Sequence, residues 1–486
     1  MYHQPSKRKQ LIQRTLIYGL MSVAVVVSVA VLVFIILGYQ FNRQDGRIEQ
    51  GGLVQFESLP SGADVTIDGA SFGTKTSSKT TMTAGQHFVT MAKSGYQQWQ
   101  KSITVVPGSV LWLNYARLIP AELKPAEVAE FASVAGTAVS PDKKWMAVQE
   151  SAASATIRLE DISQDSVKTT TLELPATSYT HPPAGASHQF ALDAWSADSR
   201  YLLAQHVYPG ATEWLVVDTQ NVAQTKNITK LLGTDMTKPV FSGDNSTILY
   251  AQVGQDVRKI DIGALQISRP LVTNVAEFSV YGRNTIVFTT QLDQTTKARS
   301  VGLYQDGADA PTIVRTYTDQ GSLPLHLGVG EYFNDTYVAI AYGEGVEIIK
   351  GDLNGDWQKK MQVNASMIVP GGVQYLSVTK NGRFVLAQQG ATYMTYDLEL
   401  QKTTTTTLKG AGAVGKQLQW LDEYMLWSDR DGTVRLYEFD GANQHDIMPV
   451  VPGQSVTLSA NGRYVYGVSQ SADGKFHLSR VRLILP

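Results

Sequence analysis

The stretch SPDKKWMAV, residues 140–148, returns with variations as SADSRYLLA (196), SGDNSTILY (242), TKNGRFVLA (379) and SANGRYVYG (459). Ser or Thr opens each copy, Asp or Asn stands third, and apolar residues follow. A hydroxyl, then a short polar side chain that tolerates left-handed backbone, is what a tight reversal needs. The apolar run after it reads as strand. Three looser copies, VYGRNTIVF (280), YFNDTYVAI (332) and WLDEYMLWS (420), complete a series spaced roughly 40–55 residues apart.

After each turn comes a second β-run that often ends in an acidic or polar turn, as in TIRLEDI, EWLVVDT and TYMTYDL. A third, outer run such as TTTLEL or TTTTTL usually follows. Each unit is a small antiparallel meander that cannot bury both faces alone, so neighbouring units must stack. Four strands per unit with a period of about 45 residues is the signature of a β-propeller. Eight turns predict eight blades, or seven if one loose copy is a loop insertion. The last unit lacks an outer strand, and EVAEFASV (126–133) is placed to supply it and close the ring. The turn resembles the SPDG-type hairpin of TolB-like and WD-repeat propellers, over about three quarters of the chain. That resemblance implies an architecture and carries no function.

Ahead of the propeller the pattern changes. Residues 16–37, LIYGLMSVAVVVSVAVLVFIIL, contain no charge, and at ~1.5 Å per residue they make roughly 33 Å of helix, enough to cross a hydrocarbon core. The apolar stretch exceeds a usual signal-peptide core and no small-x-small cleavage site follows, which predicts an uncleaved anchor over 16–38. Lys7, Arg8, Lys9 and Arg14 precede it without an acid, whereas Arg43 and Arg47 beyond it are balanced by Asp45 and Glu49. The positive-inside rule then keeps residues 1–15 in the cytoplasm and places the bulk of the chain outside. Tyr18 and Tyr39 stand where interfacial aromatics are expected. The Ala24/Ser28 spacing is what a Val- and Ala-rich run produces by composition, and it does not predict helix pairing.

Residues 39–52 read as a polar linker. In 53–119, ADVTIDG puts Ala63, Val65 and Ile67 on one face, and SITVV does the same with Ile103 and Val105. Asp68-Gly69 supplies a hairpin turn, and Gly85, Gly95 and Pro107-Gly108 punctuate the later strands. The runs SLPSGADVTIDGASFGT and TAGQHFVTMAKSGYQQWQKSITVVPG resemble a PEGA domain. Its naming motif is here Pro60-Ser61-Gly62-Ala63, with Ser61 in the glutamate's place. Ile67-Asp68-Gly69, Gly85-Gln86-His87 and Gly95-Tyr96 fit the same pattern. The resemblance covers about one seventh of the chain and implies a small β-sandwich-like module of prokaryotic envelope proteins, without catalytic residues.

With 43% hydrophobic and 17% charged residues, the chain can bury a sizeable core. A formal charge of −2 gives no general attraction to nucleic acid, and none is expected as a partner. The absence of cysteine excludes disulfides, thiolate nucleophiles and thiolate metal sites. Gly410-Ala411-Gly412-Ala413-Val414-Gly415 matches G-x-G-x-x-G, but a strand-like run follows instead of a helix, which predicts an inter-blade loop. Asp352, Asn354 and Asp356 begin like a calcium loop, yet Trp357 and Val363 occupy the places of the glycine and the bidentate glutamate. Asp429-Arg430-Asp431-Gly432 reads as a hairpin turn. The eight histidines are scattered in sequence without H-E-x-x-H, and no G-x-S-x-G occurs. Trp195, Trp214, Trp357, Trp420 and Trp427 lie in or beside blade strands, where packing between blades is the expected fate.

The expected organisation is mainly β: a tail 1–15, a transmembrane helix 16–38, a linker 39–52, a PEGA-like domain 53–119 and a β-propeller 120–486. No catalytic, metal or cofactor-binding residue is singled out, and no cofactor is expected. The expected function is a membrane-anchored, extracytoplasmic scaffold of the cell envelope whose propeller binds a protein or polysaccharide. The alternative is an extracytoplasmic hydrolase or lyase with carboxylates gathered at the propeller's axial mouth.

Overall fold

Every copy of the repeated phrase forms the turn between the first two strands of a four-stranded sheet. In the first copy the Ser140 hydroxyl donates to Asp142 and accepts the N–H of Trp145, while Asp142 also accepts the N–H of Lys144. Ser196 and Asp198, Ser459 and Asn461, and Thr379 with Asn381 repeat the two N–H acceptances. The fourth residue takes positive φ in these turns, at Lys143, Ser199, Gly382 and Gly462. Two of the four groups in this network are side chains within three residues of each other, so the reversal is specified locally, at about 0.5–1.5 kcal/mol per bond.

The computed structural model describes residues 7–42, 46–183, 185–318, 321, 323–351, 361–408 and 416–486. The chain divides into two units, Met1–Glu122 with Ile484–Pro486, and Leu123–Leu483. Among the described residues the second unit carries eight four-stranded antiparallel sheets. In chain order, sheets one to seven span 136–173, 189–227, 237–267, 275–318, 325–368, 375–407 and 419–449. Sheet eight takes its first three strands from 457–482 and its outer strand, Pro125–Phe131, from the other end of the unit. That strand pairs antiparallel with Phe476–Arg482, from Pro125 opposite Val481 to Phe131 opposite Phe476. The ring is thus closed by joining its two ends, with the outer strand where EVAEFASV was expected.

Each sheet packs on the next. Ala147 and Leu159 meet Leu202 and Leu215 between sheets one and two, and Leu203 and Val216 meet Leu249 and Ile260 between two and three. The same holds for Tyr250 with Ile286, Val287 with Val338, Ala339 with Val385, and Leu386 with Leu426. Gly467 of sheet eight lies beside Met448 and Val450 of sheet seven, and Tyr466 shares a core with Met146 of sheet one. The second strands are therefore buried on both faces. This explains why LLA, ILYA, TIVF and VAIA read as nearly continuous apolar runs. A fully buried Leu, Ile or Val contributes roughly 1.5–3 kcal/mol.

The turns are also bonded to one another. Asp142 N–H donates to Ser199 Oγ, Ser246 Oγ to Asp198, and Ser242 Oγ to the carbonyl of Arg283. Tyr281 reaches Glu331 at 3.5 Å, and Asn381 donates to Glu423. Between sheets five and six the contact is backbone on backbone: a Cβ on Gly382 would lie 2.1 Å from the Glu331 carbonyl oxygen. A belt of turn-to-turn contacts thus follows one face from sheet one to sheet seven.

In the first unit, a three-stranded sheet of Ser78–Met82, Gly52–Leu59 and Val110–Arg117 faces a four-stranded sheet of Ala70–Lys75, Asp64–Ile67, Gly85–Ala92 and Trp99–Val105. Val54, Phe56 and Leu113 from one sheet and Val65, Met91, Trp99 and Ile103 from the other form the core. The Pro60–Ala63 turn is held by Thr76, whose hydroxyl accepts the Ala63 N–H and whose carbonyl accepts that of Gly62. Asp68 accepts the Phe88 N–H and pairs with His87, and these contacts hold its carboxyl below the ordinary range. The segment read as a linker carries a hairpin, Tyr39–Asn42 with Arg47–Gln50. Gln50 donates to the Leu37 carbonyl at the end of the helix Lys7–Ile36, satisfying one orphan acceptor there. Within this helix Leu11–Ile36 is long and apolar enough to cross a membrane. The helix starts well before residue 16 because Lys, Gln and Arg are good helix formers and do not end it.

Gly382→Ala places a methyl against backbone at φ +73°. We expect a loss on the order of 3 kcal/mol, whereas Gly390→Ala, at φ +56° in open space, costs about 1 kcal/mol. Thermal unfolding of the two variants side by side checks this.

Candidate functional site

The meander topology gives the ring two faces. One carries the repeated turns and the turns between third and fourth strands, and the chain enters and leaves the ring there, at Pro125 and Arg482. On this face, aspartates at the ends of third strands accept successive N–H groups of the outer turn: Asp218 from Gln220 and Asn221, Asp397 from Glu399 and Leu400. Burial opposes the charge of Asp218, but the Arg200 guanidinium 2.7 Å away and these N–H groups outweigh it and keep the carboxyl low. Asp218 and Asp397 are thus absorbed by turn construction. The other face carries the turns between second and third strands and the sheet-to-sheet loops.

On that second face one sequence position recurs. The tenth residue counted from the start of the repeated phrase is Gln149, Gln205 and Gln388 in sheets one, two and six, and sheet three, whose turn is one residue longer, places Gln252 eleventh. Gln252 donates to the Val275 carbonyl at the start of sheet four. Gln388 donates to the Lys416 carbonyl and accepts the Leu418 N–H, clamping the loop into sheet seven. In sheet seven the same position is Asp429. It too clamps the next loop, through the Gly453 N–H, but it carries a charge that Lys416 Nζ meets at 3.0 Å.

Beside this exception lies a cavity of about 150 Å³ between the edges of sheets seven and eight. Lys416, Gln417, Gln419, Asp429 and Gln454 line it, with the edge of the buried Trp427. Gln454 Oε1 accepts from Thr137 of sheet one, which leaves its amide NH₂ available. The side chains of Gln417 and Gln419 are exposed. Arg430, the next residue after Asp429, is buried, and burial lowers its pKa. One of its terminal nitrogens reaches the Gly390 and Lys416 carbonyls at 3.5 and 3.3 Å. The cavity therefore offers several amide donors and acceptors, one ammonium and one carboxylate, fixed by three loops.

Asp429-Arg430-Asp431-Gly432 is the hairpin turn expected from sequence, with Asp431 at φ +58°. Its second role, at the cavity, was missed, although Asp in place of Gln at the tenth position was readable. The G-x-G-x-x-G run and Asp352, Asn354, Asp356 and Trp357 lie outside the described residues. Trp195, Trp214 and Trp420 donate to Ala138, Met236 and Ser377 on neighbouring segments, and with the buried Trp427 they pack between sheets. Three histidines that are apart in sequence come together in space: His188 and His206 meet, with His181 close by. Among the described residues no group of three or more His, Asp or Glu is arranged to hold a metal ion.

The fold defines a propeller-like protein. Solved structures similar to it include the Dos1 propeller, at 11% identity over 74% of this chain and 95% of its own, with a TM-score of 0.46. An oligogalacturonate lyase in complex with manganese aligns at 12% identity over 75% and 98%, TM-score 0.40. Apo AztD from Citrobacter koseri aligns at 9% over 80% and 96%, TM-score 0.40. At such identities and scores the likeness assigns no function. The more particular match is to the PEGA domain, whose family model fits residues 52–118. No curated protein matches the chain.

Asp429→Leu removes the acceptor of the Gly453 N–H and costs about 1–3 kcal/mol. Asp429→Gln restores the clamp used in sheet six and stays within about 1 kcal/mol of the parent, since the exposed Lys416 pair contributes little. Calorimetric unfolding distinguishes the two.

Proposed function

We propose that the protein is a membrane-anchored scaffold whose extracytoplasmic part, a PEGA module and an eight-bladed propeller, binds a hydroxyl-rich polysaccharide of the cell envelope. The basic flank Lys7, Arg8, Lys9 and Arg14 keeps the N-terminus cytoplasmic, and the uncleaved helix holds the rest at the outer surface. The PEGA module acts as spacer. The reading is carried by the amide-lined cavity between sheets seven and eight, on the face away from the chain's points of attachment. Gln side chains donate and accept at once, which suits sugar hydroxyls, and Asp429 and Lys416 orient them.

Isothermal titration of the full-length protein in nanodiscs with fractionated envelope glycans tests the reading. Gln419→Ala with Lys416→Ala should weaken binding about tenfold or more while leaving the fold intact. Retention of full affinity in that double variant would overturn the cavity as the site.

A hydrolase or lyase is the second reading, favoured by one observation. Asp193, on the first strand of sheet two, is open to solvent, yet surrounding protein still desolvates its carboxyl and raises its pKa. A carboxyl of that kind suits a general acid. If this reading holds, glycan cleavage is measurable and Asp193→Asn lowers its rate about a hundredfold or more; no turnover with any glycan that binds rejects it.

A further inference from the structure

The loop that leads from sheet one into sheet two is fastened to the second-to-third-strand hairpin of sheet two by a chain of polar groups. Glu213, in the hairpin, is buried and accepts four hydrogen bonds. Two come from the loop, from the Thr180 N–H at 2.5 Å and its hydroxyl at 3.1 Å. One comes from Asn227 on the outer strand, and one from His206 Nδ1 at 2.9 Å. His206 is fully buried, stacked on Phe190 at 4.2 Å, and its Nε2 lies 3.0 Å from Nδ1 of His188, back on the loop. Tyr179 closes edge-on over both Phe190 and His206.

The protons follow from the partners. Ionised Glu213 requires Nδ1–H on neutral His206, so His206 Nε2 is a lone pair and His188 must donate its Nδ1–H to it. One added proton is tolerated. An imidazolium at His206 faces Glu213 and donates Nε2–H to His188, which then carries its own proton on Nε2. A second proton leaves no lone pair between the rings, and two cations face each other.

We propose that this chain is an acid-released latch: the loop carrying Tyr179, Thr180 and His188 is held on sheet two at neutral pH and let go when both histidines are protonated. The titratable groups facing His206 are His181, His188 and Tyr179 from the loop, and Glu213 and Tyr208 from the hairpin. Burial holds His206 below its ordinary value near 6.5, with Glu213 offsetting part of the effect and His188 and His181 adding to it. Burial works the other way on Glu213, but Thr180, His206 and Asn227 outweigh it and keep that carboxyl low as well. Both groups bind fewer protons when latched than when free. The latch is therefore fully stable above the ordinary histidine range and weakens as pH falls through it, and further as Glu213 protonates. The loop lies on the face that bears the sheet-to-sheet connections, so acid would reshape that surface without opening the ring.

Hydrogen–deuterium exchange of the full-length protein in nanodiscs tests the latch. Between about pH 7.5 and about pH 5, after correction for intrinsic rates, peptides carrying Tyr179, Thr180 and His188 should exchange about tenfold faster, with the second strands unchanged. His188→Gln keeps a side chain that can donate or accept toward His206, so its loop should keep most of its protection at the lower pH, losing only the part that the burial of His206 supplies. His181→Gln should release like the parent. Unchanged protection in the parent, release of His188→Gln alongside it, or loss of the acid response in His181→Gln would each overturn the proposal.

Discussion

In sheets one, two and eight the ring rests on a hydroxyl that accepts one backbone N–H while donating to a carboxylate or amide two residues further on. That small motif reverses the chain where a strand must turn, and it leaves the second polar atom of the carboxylate or amide for another partner. At Asp198 the spare oxygen takes the Ser246 hydroxyl of the next sheet. A local turn thereby becomes a joint between blades. Apolar packing between sheets supplies most of the cohesion, but it is non-directional. The hydrogen-bonded turns add direction by fixing where each sheet stands beside its neighbour.

A repeated architecture makes departures from the repeat informative. Where four sheets place glutamine, sheet seven places Asp429, and the cavity lies there. Glutamine and aspartate both clamp the next loop, so the change is unnecessary for folding. It adds a charge and recruits Lys416. Sheet two keeps its glutamine but follows it with His206, where other sheets carry Val253, Thr290 or Gln389. Both departures are on the face that the turn belt leaves free, consistent with a division of labour between a structural face and a variable one.

The fold was legible because its determinants are close together in sequence. All eight copies of the phrase are first turns of sheets: five carry their own turn chemistry, and the loose VYGRNTIVF, YFNDTYVAI and WLDEYMLWS are legible from their place in the series. The PEGA-like module was legible for a similar reason: Asp68-Gly69 and the Ala63, Val65, Ile67 face occupy a few residues. The cavity was not. Its lining joins Lys416 and Gln419 to Asp429 and Gln454, from loops that only the stacking of sheets brings together. The histidine chain was hidden in the same way, because Thr180, His188, His206, Glu213 and Asn227 meet through strand pairing and a long connection. The hairpin at Tyr39–Gln50 was missed because its few polar residues show little apolar alternation.

The closing sheet also sets how the ring bears load. Its outer strand Pro125–Phe131 continues directly from the N-terminal segment and is zipped to the strand Phe476–Arg482 more than three hundred residues away. A pull on the segment that enters the ring at Pro125 is therefore delivered to the seam before any other sheet of the ring. Along that seam Lys475 and Glu130 form an ion pair, and Phe131 is buried in the core shared by sheets eight and one. Mechanically the second unit is a hoop whose clasp joins its own two ends, and the force at which that clasp parts limits what the hoop can hold.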